Sequence, residues 1–409
     1  MSGSGPRPAA PAPLWRGRAL ALITIVLVAL NLRTAVAALS PIFDEIAVDI
    51  PLGSVGIGLL GMLPPLCFAA VGPFAPALHR RFGLEPVVVG ALVVMLAGHL
   101  LRAAGDSYAV LAMASAVTFA GMGVANVLLP PLVKTYFPDR IGLVTSVYAT
   151  TMALGATIPP LVAVQVADGA GWRIAVGVWS VLALFALVPL VTLAARARGR
   201  RAPVDEPQPR ALGGVWRSPL AWSLMLVFGL TGINSYAMFT WLPAVLVDVS
   251  GVSAGQAGAL LSLYSVTGLP ASLVVPVLAV RLKKVSWLVA AGVASYIVGY
   301  GGLLLAPGAG IVWLWVTLAG LGALLFPLAL VLINLRTRTH EGAVALSSFV
   351  QSLGYALSAT GPLLVGVLHE LTGAWTAPLL LLVASAVGMG FAGIVVARPR
   401  MLEDHRPRR

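Results

Sequence analysis

Apolar runs long enough to cross a bilayer follow one another along nearly the whole chain, at about 19–43, 53–78, 86–104, 108–133, 141–166, 173–195, 219–245, 255–280, 285–306, 311–335, 342–367 and 375–397. A hydrocarbon interior offers no water to backbone N–H and C=O groups, so a spanning segment must satisfy them within itself, as a helix. The expectation is an all-α integral membrane protein with twelve transmembrane helices. Composition agrees, since 59% hydrophobic residues against 10% charged ones excludes an ordinary soluble globule.

The net charge of +12 would suggest nucleic acid in a soluble protein, but its placement points to topology. With the N-terminus inside, 23 of the 26 Lys and Arg fall in inside segments, the exceptions being Arg33, Arg102 and Arg173. Asp44, Glu45, Asp49, Asp106, Asp168, Asp248 and Glu370 fall in the alternate, outside loops. This asymmetry predicts a multi-pass protein of the cell membrane with both termini cytoplasmic, bound to the lipid bilayer and not to nucleic acid. The lone Cys67 allows no intramolecular disulfide and belongs to no metal-ligand cluster.

The longest polar stretch, Arg196 to Ser218, separates six spans from six. The expected organisation is a disordered tail (1–18), an N-terminal six-helix bundle (19–195), a linker (196–218), a C-terminal six-helix bundle (219–397) and a basic tail (398–409). An internal repeat supports the division. Gly58, Leu60, Leu63, Pro76, Leu78 and Arg81 fall opposite Gly258, Leu260, Leu263, Pro276, Leu278 and Arg281, and Gly142 with Val144 opposite Gly342 with Val344. Two parallel six-span halves around a midplane site form the arrangement of major facilitator transporters.

Arg33 is the one charge deep inside the run Ala19–Phe43. At about 1.5 Å of rise per residue it lies near mid-bilayer, where an arginine costs roughly 2.5–3.5 kcal/mol on insertion scales. No carboxylate sits in any predicted span to neutralise it, so the reading is a cation held for an anionic or electron-rich solute. Satisfaction by neighbouring backbone carbonyls is the alternative.

Four stretches carry a family resemblance: NLRTAVAALSP at 31–41, GMGVANVLLPPLVKTYFPDR at 121–140 with the IGLVTSVYATTMALGA that follows, YAMFTWLPAVLVD at 236–248, and FVQSLGYALSATGPLLVGVLHELTGAWTAPLL at 349–380. Together they resemble the cyanate and 2-nitroimidazole transporter family of the major facilitator superfamily, over nearly the whole length apart from the tails and linker. The superfamily loop signature is degenerate here, with Arg80 where an acid is usual, and the fifth span lacks the full glycine-rich antiporter pattern.

The resemblance implies a transporter but does not identify its substrate; with Arg33, the expectation is a monomeric carrier working by alternating access on a small anionic or polar solute, cyanate-like, carboxylate or nitroimidazole-like. Efflux of neutral drug-like compounds is the alternative within transport, and a membrane receptor or sensor the alternative outside it. No nucleophile–base set is visible, so no enzyme is expected, and no cofactor or metal. Candidate substrate-binding residues are the polar or aromatic side chains at mid-span depth: Arg33, Asn31, Asn126, Tyr148, Asn234, Tyr236, Trp241, Tyr264, Gln351 and Tyr355. His99 is the candidate for proton coupling, with Arg102, one turn on, expected to snorkel outward.

Overall fold

The computed structural model describes residues 18–197, 215–282, 285–308 and 310–405. The expected N-terminal tail, most of the linker and the last basic residues lie outside the described residues.

Twelve membrane-length helical segments follow in order: α1 (Ala19–Asp49), α2 (Ser54–Phe82), α3 (Leu84–Ala104), α4 (Tyr108–Tyr136), α5 (Ile141–Ala170), α6 (Trp172–Ala197), α7 (Pro219–Ser250), α8 (Ala254–Arg281), α9 (Ser286–Leu305), α10 (Val312–Leu335), α11 (His340–Thr372) and α12 (Thr376–Val396). Eleven are long and apolar enough to cross by composition, and α11, with 33 residues, is long enough but more polar, carrying Ser347, Ser348, Gln351, Ser352, Ser358 and Thr360. The described residues form no strand.

α1 is interrupted. Its first helix ends at Ala37, a short 3-10 turn covers Ser40–Ile42, and helix resumes over Phe43–Asp49. Pro41 sits in that turn and has no N–H to return to the preceding turn. The sequence reading ends this span at Phe43 and places Asp44, Glu45 and Asp49 in a loop. The structure instead continues the helix because Phe43 and Ile46 are buried, while Asp49 accepts a hydrogen bond from Trp172 Nε1 at 2.9 Å.

The packing follows a pseudo-two-fold plan. In the first half α1 packs on α5 and α6, and α3 on α4 and α6; in the second α7 packs on α11 and α12, and α9 on α10 and α12. The halves meet through two equivalent seams, α2 on α11 and α5 on α8. Glycine makes both seams close: a Cβ on Gly58 would stand 2.9 Å from the Pro362 carbonyl oxygen, and one on Gly258 2.5 Å from that of Pro160. The peripheral helices present Leu100, Leu101, Leu184, Phe185, Phe391 and Ile394 outward, as lipid-facing positions require.

Gly58 and Gly258 lie near the starts of α2 and α8, at the face opposite the chain termini. Contacts between the halves concentrate toward that face, where Val55 N–H also donates to Glu370 across α2 and α11 at 3.2 Å and Gly366 abuts the Ser54 carbonyl. The halves are therefore closed together on the side away from the termini.

Candidate substrate site

Between the halves lies a cavity of about 200 Å³. Arg33 and Val36 of α1 and Ala156 of α5 form its first-half wall; Ser235, Tyr236 and Phe239 of α7, Tyr264, Ser265 and Ser272 of α8, and Phe326 and Pro327 of α10 are among those that form the other. The interruptions in the lining helices explain part of this shape. α8 is broken at Thr267 and α10 at Ala323–Leu324, and the cavity runs along both breaks.

Arg33 stands in an aromatic frame drawn from both halves. Its guanidinium carbon lies 5.9 Å from the centroid of Phe68 in α2, and its guanidinium faces the hydroxyls of Tyr236 in α7 and Tyr355 in α11. Tyr355 is fixed by edge contacts to Phe68 and Phe228, with centroids 5.7 and 5.1 Å away. Among the described residues no carboxylate forms an ion pair with Arg33. The result is a half-buried cation with phenolic oxygens beside it, in a mostly apolar chamber where a charge–dipole contact is weakly screened.

Tyr264 contributes a second polar point. Its ring packs edge-on against Phe239 with centroids 5.8 Å apart, and its buried hydroxyl lies beside the hydroxyls of Ser235 and Tyr296, without a hydrogen bond inside the usual limits. Arg33, Tyr236 and Tyr264 thus share the cavity wall, with Tyr355 immediately behind.

The other candidates are placed elsewhere. Asn31 turns away, donating to the Leu27 and Leu182 carbonyls at 2.8 and 3.2 Å, and Asn234 does the same with the Leu230 carbonyl and Ser385 Oγ at 2.8 and 2.7 Å. Trp241 donates to the Pro362 carbonyl at 2.9 Å and packs on Trp375 at the outer end of the second half. Gln351 donates to Ser347 Oγ at 2.7 Å, one turn back on its own helix. Asn126 and Tyr148 are half-buried on α4 and α5, outside the cavity wall.

His99 and Arg102 lie within the first half. Arg102 does not snorkel: it is fully buried, its guanidinium donating to the Ala35 carbonyl at 3.5 Å and lying 5.6 Å from the Phe119 centroid. The face of α3 that carries both residues is packed inside the bundle, so the side chain has no path to the interface. Gly98, on the same face, is so close that a Cβ there would meet Thr118 Oγ1 at 2.2 Å. His99 is equally buried and both ring nitrogens lack partners.

Sequence reasoning missed Ser235, Phe239, Ser265, Ser272, Phe326 and Pro327. They are ordinary membrane residues with no charge to single them out, and Pro327 in the sequence signals a helix bend and not a binding position. A larger hollow, about 370 Å³, lies at the termini face of the first half beside Arg18, Tyr136 and Arg196. It is not between the halves, so the smaller chamber is the candidate site.

The Major Facilitator Superfamily pattern matches residues 21–359. An uncharacterized transporter of Bacillus subtilis (strain 168), YycB, is 34% identical over 385 residues, covering 93% of this chain and 94% of that one. The 2-nitroimidazole transporter of Escherichia coli (strain K12) is 32% identical over 387 residues, covering 94% and 97%, and the cyanate transport protein CynX of the same organism is 25% identical, covering 86% and 90%. In fold, the chain is similar to a bacterial homolog of the human lysosomal transporter Spinster, in an inward-facing and occupied conformation, with a TM-score of 0.73 at 14% identity, covering 97% of this chain and 99% of that one. The chain belongs to the major facilitator superfamily, and the resemblance to the cyanate and 2-nitroimidazole transporters holds over nearly its full length.

Proposed function

We propose that this major facilitator transporter carries a small anionic or electron-rich polar solute, held by Arg33 in the chamber between its halves. The observation that carries the reading is an arginine on the chamber wall, set among aromatic rings and phenols, with no carboxylate paired to it among the described residues. A half-buried cation without a counter-charge is costly, and a ligand that supplies the missing negative charge or lone pairs offsets that cost. The names of two relatives, one moving 2-nitroimidazole and one cyanate, are consistent with a site that accepts oxygen- and nitrogen-rich acceptors.

In this reading Arg33 supplies the planar fork of donors, Tyr236 and Tyr355 orient it, and Tyr264 reaches a second acceptor on the solute. Phe239 and Phe326 hold the apolar body. The carrier works as a monomer in the plasma membrane, with both termini in the cytoplasm, an orientation that the distribution of basic residues supports.

The test is solute binding and proteoliposome flux for Arg33→Ala and Arg33→Lys, with cyanate, nitrate, small carboxylates and nitroimidazoles as probes. Both variants should insert and fold. Binding of the accepted probe should be lost in the alanine variant and weakened in the lysine variant, because an ammonium does not reproduce a bidentate donor. Unchanged flux in the alanine variant removes Arg33 from the site.

A further inference from the structure

The two seams that close the halves begin at equivalent helix starts, and those starts are finished in different ways. α8 caps itself. Ser253 Oγ accepts from Gln256 N–H at 3.3 Å while the Gln256 side chain accepts from Ser253 N–H at 3.1 Å, a complete capping box. At the matching start of α2 the capping position is Gly53, which has no side chain to offer, and no acidic residue follows in the first turn. The free N–H groups at a helix start carry partial positive charge and call for an acceptor.

That acceptor comes from the other half. Glu370, near the end of α11, places Oε2 3.2 Å from Val55 N. Pro362, Gly366 and Glu370 are four residues apart in turn, so they share one face of α11. Along that face the Pro362 carbonyl would meet a Cβ on Gly58 at 2.9 Å, and a Cβ on Gly366 would meet the Ser54 carbonyl at 2.6 Å. The carboxylate is therefore carried to α2 on a seam where the two backbones nearly touch. Asp168, which stands on α5 about where Glu370 stands on α11, is exposed as Glu370 is, but among the described residues it accepts no hydrogen bond from α8, which already has its own cap.

We infer that Glu370 is a positioning residue of the transport cycle: by capping α2 from the opposite half, it holds the chamber closed on the face away from the termini. Opening that face separates α11 from α2 and strips α2 of its cap, whereas opening the α5–α8 seam costs α8 nothing at its N-terminus. The seam closed by Glu370 thus favours the closed state through a charge-assisted bond that its counterpart lacks. The inference does not depend on which solute is carried or on the role given to Arg33.

The test separates closing the gate from merely capping a helix. Ser40 lines a small cavity of about 20 Å³ on the far side of Tyr236 and Phe239, and is buried in this closed state, so a cysteine there reports opening of that face. With Cys67→Ala and Ser40→Cys as background, Glu370→Ala should raise the labelling rate by a hydrophilic thiol reagent severalfold, and Glu370→Gln by less, since an amide oxygen still accepts the bond. Adding Gly53→Ser gives α2 a cap of its own; a Cβ at Gly53 meets nothing within 4 Å. This second change should recover any lost thermal stability while labelling stays high. Breaking the α8 cap with Ser253→Ala should lower stability and leave labelling unchanged. Unchanged labelling in Glu370→Ala overturns the inference, and so does a return to slow labelling on adding Gly53→Ser, which would make Glu370 a helix cap and nothing more.

Discussion

The first and second halves share a scaffold and differ in charge. Asn31 and Asn234 are 203 positions apart, as are Leu182 and Ser385, and each asparagine ties the first helix of its half to the last. Asp49 accepts from Trp172 Nε1 at 2.9 Å, and Asp248 from Trp375 Nε1 at 2.8 Å, the same fastening at the outer end of each half. Gly98 against Thr118 has its counterpart in Gly299 against Ala319. At the same 203-residue offset Arg33 falls on Tyr236. Equivalent positions thus face one cavity with a cation on one side and a phenol on the other. Duplication supplied a symmetric frame, and the candidate site lies where the copies diverged.

The strongest challenge to the shared scaffold is steric. Gly98→Val and Gly299→Val should each cost about 3 kcal/mol or more, because the added carbons enter backbone of the adjacent helix. Gly90→Val, where a Cβ would meet nothing within 4 Å, should be tolerated. Folded yield and thermal unfolding in detergent check all three, and a tolerant Gly299 beside an intolerant Gly98 would break the equivalence of the α3–α4 and α9–α10 contacts.

Exchange of the diverged pair sharpens the contrast. Arg33→Tyr should weaken solute binding by about 2–3 kcal/mol, as loss of a buried charged partner does, and Tyr236→Arg alone should also weaken it by crowding a second cation against the first. The double exchange should recover at least tenfold in binding over the worse single variant. No recovery would mean that the surroundings of α1 and α7, and not the pair itself, hold the solute.

Smaller effects are expected from the conserved fastening. Asn31→Leu and Asn234→Leu should each lose about 1 kcal/mol of stability, the usual size of a hydrogen bond between membrane helices, with solute affinity unchanged. A loss of affinity in either variant would return that asparagine to the binding site.

The smallest effect concerns the termini face. There the first half is tied by Arg18 to Asp139, and the second by Arg338 to Asp404 at 2.8 Å and by Glu403 accepting from the backbone of Arg338 and Thr339. The hydrogen bond from Arg18, ahead of a backbone hydrogen bond, holds the Asp139 carboxyl below its ordinary value. A depressed carboxylate contributes stability above its unfolded pKa, near 3.9, and loses it as pH falls through the lower folded value. Asp139→Asn should therefore reduce the apparent melting temperature slightly at neutral pH and converge with the parent once the pH has fallen below the lowered folded value. A constant difference down to that pH would show that the contact is not electrostatic.

The sequence by itself determined the class, the number of spans, their alternating direction, the duplication and the family, because each rests on the one-dimensional pattern of apolar length and charge. It also isolated Arg33, since a lone charge at mid-depth stands out without knowledge of any neighbour. What only the tertiary structure decided is rotation and partnership: Tyr236 and Tyr355 turn toward Arg33, Tyr264 lines the same cavity, Asn31 and Asn234 turn into helix contacts, and Arg102 is drawn into the bundle rather than out to the interface. In water a helix declares its buried face by amphipathic pattern. In a bilayer both lipid and core are apolar, so the pattern that would fix each helix about its axis is nearly absent, and close packing of glycine-lined seams settles it instead.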